Sequence, residues 1–296
     1  EFGTIRKNYE LSWTEPWILD MPLLFGFDLY QRTRLRRSGL GYGFDEIRQG
    51  GDIRFGKELT EYLTAGLTYV LEDVDIKDVS VDASADLLAE EGKNRISKVI
   101  FSLAQDKRDS IYNASKGYLF VNSVEFASTL LGGNKEFAKY TNNLELYFPY
   151  FERTVLELNA RVGIEDAFGD STKVPIYERF YAGGSNTIRG YRERRIGPKD
   201  PNSNDPIGGE AFLVGNIEYT FPVYERVLKG AVFYDIGNVW ERWDDIGTGD
   251  FKAGAGVGIR VKTPIGPLKL DFGYPLSDVE GEKKVGRFHF SVSQGF

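Results

Sequence analysis

Apolar and polar residues alternate one by one through segment after segment of this chain, and nowhere do about 18 apolar residues run together. Successive side chains of a strand point to opposite faces, so a period of two predicts strands with one apolar and one polar face. Leu268, Leu270, Phe272 and Tyr274 fall on one side, with Lys269 and Asp271 on the other. The last segment repeats the pattern, with Phe288, Phe290, Val292 and Phe296 facing away from Arg287, His289, Ser291 and Ser293. Such patterns predict thirteen strands, at 7–15, 22–34, 41–57, 62–75, 95–107, 118–129, 137–149, 153–166, 210–222, 228–240, 251–263, 267–275 and 285–296. The best helix candidate is one short acidic piece, Val81 to Glu91.

A helical membrane span is excluded by the missing apolar run, whereas a spanning strand needs only about 9–11 alternating residues. The mean hydropathy of −0.34 is therefore compatible with a membrane wall. The alternation alone fits two architectures: a soluble sandwich with its apolar faces inside, or a barrel with its apolar face on lipid. The 34 glycines and 14% aromatic content favour the barrel, where aromatics form interface girdles and glycine lets the wall bend. Connections alternate as well. Glu15-Pro16-Trp17, Glu58-Leu59-Thr60, 148–152, 221–224 and 263–267 are short, while 76–94 and 167–209 are long and polar. Short turns at a periplasmic rim and long loops at the opposite rim are the outer-membrane arrangement. Closing one sheet also removes every edge, and a strand running out to Phe296 suits a closing strand.

The chain has no cysteine and a single histidine, His289, so thiolate chemistry and multi-histidine metal sites are excluded. A net charge of −7 argues against a nucleic-acid partner. The basic clusters Arg32, Arg34, Arg36, Arg37 and Arg189, Arg192, Arg194, Arg195 read as wet rims, lipid-headgroup contacts or internal ion pairs. Gly183, Gly184 and Gly190 lack the following Lys-Ser/Thr of a phosphate loop. Asp20, Asp106 and Asp109 show no nucleophile and base spacing. No enzyme activity, cofactor or metal is expected.

Four segments in order, 180–191 (FYAGGSNTIRGY), 233–240 (FYDIGNVW), 267–276 (PLKLDFGYPL) and 288–296, resemble the Omp85 superfamily, and within it the BamA-like insertases. The resemblance covers nearly the whole chain. It implies an all-β transmembrane antiparallel β-barrel of Omp85 type spanning 1–296, with a long extracellular loop at about 167–209. The implied function is assembly and insertion of β-barrel proteins into the bacterial outer membrane. The alternatives are an Omp85-type polypeptide secretion or translocation pore and a passive outer-membrane pore. Outer-membrane lipids, unfolded β-barrel substrates, periplasmic chaperones and accessory lipoproteins are the implied partners. From the residues alone, Arg189, Glu218 and Asp235 are either unrelated surface charges or a five-donor fork between two inward carboxylates. The resemblance implies the second, a loop lock carried by Arg189, Gly190 and Tyr191 with Glu218 and Asp235. It also implies that Phe288, Phe290, Val292 and Phe296 belong to a closing strand that forms half of a gate.

The same resemblance implies about sixteen strands, so that Asn8 to Pro16 matches the fourth and this chain represents an incomplete barrel without the preceding POTRA domains. Thirteen is an odd number. In an antiparallel meander the first and last strands then run the same way, which leaves an open wall, a parallel seam, strands from another chain or a miscount by one as the consistent outcomes.

Overall fold

In a computed structural model of the chain, the described residues are 6–18, 20–35, 44–79, 83–151, 153–224, 227–263 and 266–292. They form thirteen strands: β1 (Arg6–Glu15), β2 (Leu24–Arg34), β3 (Asp45–Thr60), β4 (Leu63–Lys77), β5 (Gly92–Asp106), β6 (Gly117–Ala127), β7 (Phe137–Pro149), β8 (Val155–Ala167), β9 (Ala211–Tyr224), β10 (Leu228–Trp240), β11 (Lys252–Thr263), β12 (Gly266–Pro275) and β13 (Arg287–Val292). Every strand pairs antiparallel with the next, in a single sheet whose spatial order is the chain order. A soluble sandwich needs two opposed sheets, and here there is one. The acidic piece forms one short helix, α1 (Ala85–Ala89), where the Ser84 hydroxyl accepts the Leu87 N–H at 3.1 Å and caps its first turn.

The two rims differ. At one, residues 61–62 join β3 to β4 and the Tyr150 N–H donates to the Thr154 carbonyl at 3.2 Å between β7 and β8; the longer links from β4 to β5 and from β8 to β9 lie at the other. The β3–β4 hairpin turns at 61–62 rather than at Glu58-Leu59-Thr60, because a register irregularity between Glu58 and Thr60 lets both strands run on.

The faces are inverted relative to a soluble protein. Leu67, Leu71, Phe101, Val257, Ile259, Leu270 and Phe272 are exposed on the outer face, while Glu72, Lys98, Glu165, Glu218, Asp235, Arg260 and Asp271 are buried on the inner one. An apolar surface of that extent is unstable against water and matches a hydrocarbon environment. No helix among the described residues is long and apolar enough to cross a membrane.

The expectation of a closed barrel is corrected by this sheet. β1 pairs with β2 and β13 with β12, and no ladder joins β1 to β13 among the described residues. Strands one and thirteen of a meander run in the same direction, which rules out an antiparallel seam, and no parallel ladder joins them among the described residues. The architecture is an open antiparallel sheet of thirteen strands.

Candidate functional site

The long connection 168–210 lies on the inner face of the sheet, and Arg189 is its most heavily bonded side chain. The Arg189 Nε and Nη2 donate to Asp235 on β10 at 2.8 Å each, and the Arg189 backbone N–H donates to the same carboxylate at 2.9 Å. Its Nη1 donates to Glu218 on β9 at 2.8 Å and to Asp271 on β12 at 3.2 Å. The guanidinium also stacks 3.5 Å from the centroid of the Phe233 ring, one inward position before Asp235 on β10. All three carboxylates are buried, Asp235 completely. Burial by itself would depress the Arg189 pKa, but the bonds and charges of Asp235 and Glu218 outweigh it and raise the value well above that of a free arginine.

A second cation completes the cluster. Arg260 on β11 donates to both Glu218 oxygens at 2.9 and 2.7 Å and to Asp271 at 2.6 Å. The two guanidiniums thus share Glu218 and Asp271 across four adjacent strands. Asn216 on β9 ties the Thr187 carbonyl to Asp235, donating at 2.7 and 2.8 Å. Parity along a strand exposes Glu218 and Asp235 as inward residues, whereas the roles of Arg260, Asp271 and Asn216 need the inter-strand register. In register Arg260 pairs with Lys269 and Asp271 with Gly258, so Arg260 and Asp271 meet diagonally across β11 and β12.

Gly190 has φ +96°, and a Cβ there would lie 2.8 Å from the backbone at Tyr274 and Pro275, so both its conformation and its surroundings require glycine. The sheet reciprocates: an added Cβ at Gly254 would lie 2.1 Å from the Arg189 carbonyl oxygen, and one at Gly273 would lie 2.6 Å from the Gly190 nitrogen. Loop backbone therefore rests directly on sheet backbone. The Gly190 N–H donates to His289 Nε2 on β13 at 2.9 Å, which requires a neutral imidazole with its proton on Nδ1. The Tyr191 hydroxyl lies 2.8 Å from the carbonyls of Ala253 and Ser277 and accepts the Ser277 N–H at 3.1 Å.

The remaining sequence candidates fall elsewhere. Phe288 and Phe290 project from the outer face of β13, 75% and 64% exposed, and take no part in the cluster. The backbone of Val292 pairs with Leu268, while Phe296 lies outside the described residues. In the second basic cluster, Arg192 pairs at 2.8 Å with Glu282 of the β12–β13 connection, a contact between loops, and Arg194 stacks 4.1 Å from the Tyr181 ring within its own loop. In the first, Arg32 pairs with Glu10 at 3.2 Å, and Arg36 and Arg37 lie outside the described residues. Among the described residues no three His, Cys, Asp or Glu side chains are grouped to hold a metal.

Comparison with known proteins sets this arrangement in a family. The chain is 33% identical over 308 aligned residues to outer membrane protein assembly factor BamA of Nitratidesulfovibrio vulgaris, covering 100% of this chain and 37% of that protein. It is 25% identical to the BamA of Neisseria meningitidis, covering 98% of this chain and 41% of that one. The chain thus spans well under two thirds of the length of these curated relatives. The crystal structure of BamA from Haemophilus ducreyi lacking POTRA domains 1–3 superimposes with a TM-score of 0.84 at 19% identity, over 97% of this chain and 62% of that one, and so shares its fold. The model of the Omp85 superfamily domain matches residues 1–296, and with every residue accounted for in that match, the chain belongs to the Omp85 superfamily.

Proposed function

We propose that this chain is the membrane-embedded part of an outer-membrane protein that folds and inserts β-barrel proteins. The observation that carries this reading is the 33% identity, over the whole chain, to a BamA. An apolar outer face supports residence in lipid. The tight-turn rim would face the periplasm and the rim bearing 168–210 the exterior. Arg189, Gly190 and Tyr191, held by Glu218 and Asp235, would act as a loop lock that keeps the inner face occupied. Residues 288–292 of β13 would present an edge to which an incoming strand adds by backbone pairing. Pairing of that kind needs no nucleotide, metal or covalent step. The partners are outer-membrane lipids and unfolded β-barrel chains, with chaperones and accessory lipoproteins serving the longer protein.

The test uses the full-length protein carrying this sequence, reconstituted into liposomes, with the folding of a urea-unfolded small β-barrel followed by its heat-resistant gel mobility. Folding is expected to outpace that in empty liposomes, and a photo-cross-linking residue replacing Phe290 is expected to trap the substrate. Equal rates with and without the protein would overturn the reading.

A further inference from the structure

Eleven residues before Arg189, the same loop buries a carboxylate against the other half of the sheet. Glu178 is 7% exposed. Its Oε1 accepts from Arg48 on β3 at 2.8 Å and its Oε2 from Lys98 on β5 at 3.1 Å. The Glu178 carbonyl accepts from Lys139 on β7 at 2.5 Å, and the neighbouring Tyr177 carbonyl accepts from Arg48 at 2.9 Å. Three alternate strands thus each send one cation to the same two loop residues. Wall carboxylates hold those cations in position: Glu46 and Glu72 on Arg48 at 2.5 and 3.1 Å, Glu125 on Lys98 at 2.8 Å, and Glu165 on Lys139 at 3.1 Å.

Apolar packing repeats the division. Val174, Ile176 and Tyr177 pack with Val74, Ile76, Ile96 and Phe137 of β4, β5 and β7, whereas Ala182, Ile188 and Tyr191 pack with Val214 and Val239 of β9 and β10. The segment between is braced. Phe180 stacks on Phe212 with centroids 4.6 Å apart, and Ile196 N–H donates to the Ala182 carbonyl at 3.0 Å. Phe180 and Gly209 exchange backbone bonds of 2.9 and 3.0 Å. A slack tether would show none of these cross-links.

We propose that Glu178 is a second anchor, and that residues 174–191 form a strap clamping β3–β7 to β9–β12 across the inner face. The strap sets the curvature of a sheet whose edge strands do not pair with each other among the described residues. This inference concerns the loop's mechanics and stands whether or not the protein inserts other barrels.

The chain has no cysteine, so V124C and V257C, on exposed outer positions of β6 and β11, give one spin-label pair within it, used in the full-length protein in lipid with any cysteine outside these residues replaced by serine. The Glu178→Gln variant is expected to broaden the distance distribution between these labels, and E178Q combined with K98Q is expected to broaden it no further. An unchanged distribution in folded E178Q would overturn the strap. Hydrogen exchange on the unsubstituted protein gives a test that needs no variant. Amides of 174–181 and 186–191 are expected to exchange within about tenfold of each other, as one cooperative unit. Free exchange of 174–181 beside a protected 186–191 would remove the second anchor.

Discussion

Arg189 spends its side-chain donors on three buried carboxylates, so removing it strands negative charge rather than merely deleting a contact. Breaking a buried pair in this way costs about 3–5 kcal/mol. Arg189→Ala is expected to lower the unfolding midpoint accordingly, and Arg189→Lys to recover only part of the loss, because an ammonium cannot fork between Asp235 and Glu218. Denaturant titration of both variants in lipid checks this. Glu178 makes a pH prediction. Burial would raise its pKa, but Lys98, Arg48 and Lys139 together hold its carboxyl well below the usual carboxylate range. Its stabilisation is therefore complete above the unfolded value of about 4.3 and is lost progressively as pH falls from there through the lower folded value. Exchange protection of 174–181, corrected for intrinsic rates, is expected to hold from pH 7 to pH 5 and to fall below pH 4. The sequence shows Glu218 and Asp235 as inward by parity. Parity also puts Asp271 and His289 on polar faces, but their meeting with Arg189 and Gly190, the part of Arg260 and the burial of Glu178 depend on strand register and on a loop path that no local pattern encodes.

At the level of elements, alternation carries nearly all of the information. Thirteen strands are readable because each side chain must choose between an apolar outer and a polar inner environment, and a one-residue slip would reverse the choice along the whole strand. Boundaries are less readable. β5 begins at Gly92 because Lys93 and Asn94 pair with Asp75 and Val74, a cross-strand fact invisible in the local sequence. The outward assignment gives a direct prediction. Val257→Arg, on the exposed face of β11, is expected to destabilise the protein in a bilayer by about 2–4 kcal/mol. A wet outer face would leave the same substitution within about 0.5 kcal/mol of neutral, so equilibrium unfolding in lipid vesicles decides between the two.

For the molecule as a whole, the inversion of faces is legible and closure is not. Alternation fixes which side of a wall each residue occupies, whereas closure depends on the number and direction of strands at the two edges. The outer face carries Trp13 in an aromatic cluster with Phe25 and Phe27, at centroid distances of 6.0 and 5.9 Å. Trp240 is buried near the opposite rim. With W17F and W243F present, brominated lipid chains are expected to quench Trp13 strongly and Trp240 weakly; equal quenching would count against a lipid-facing wall. The glycines beneath the loop have a mechanical meaning too. Gly254, Gly256 and Gly258 follow one another at inward positions of β11, and Gly273 faces Gly256 on β12. That stretch of wall contributes no side chains of its own: Phe233 covers Gly256, Asp271 and Arg260 cover Gly258, and the backbone of residues 189–190 covers Gly254 and Gly273. It is a crease of low flexural rigidity, and residues 189–190 act as the splint laid along it.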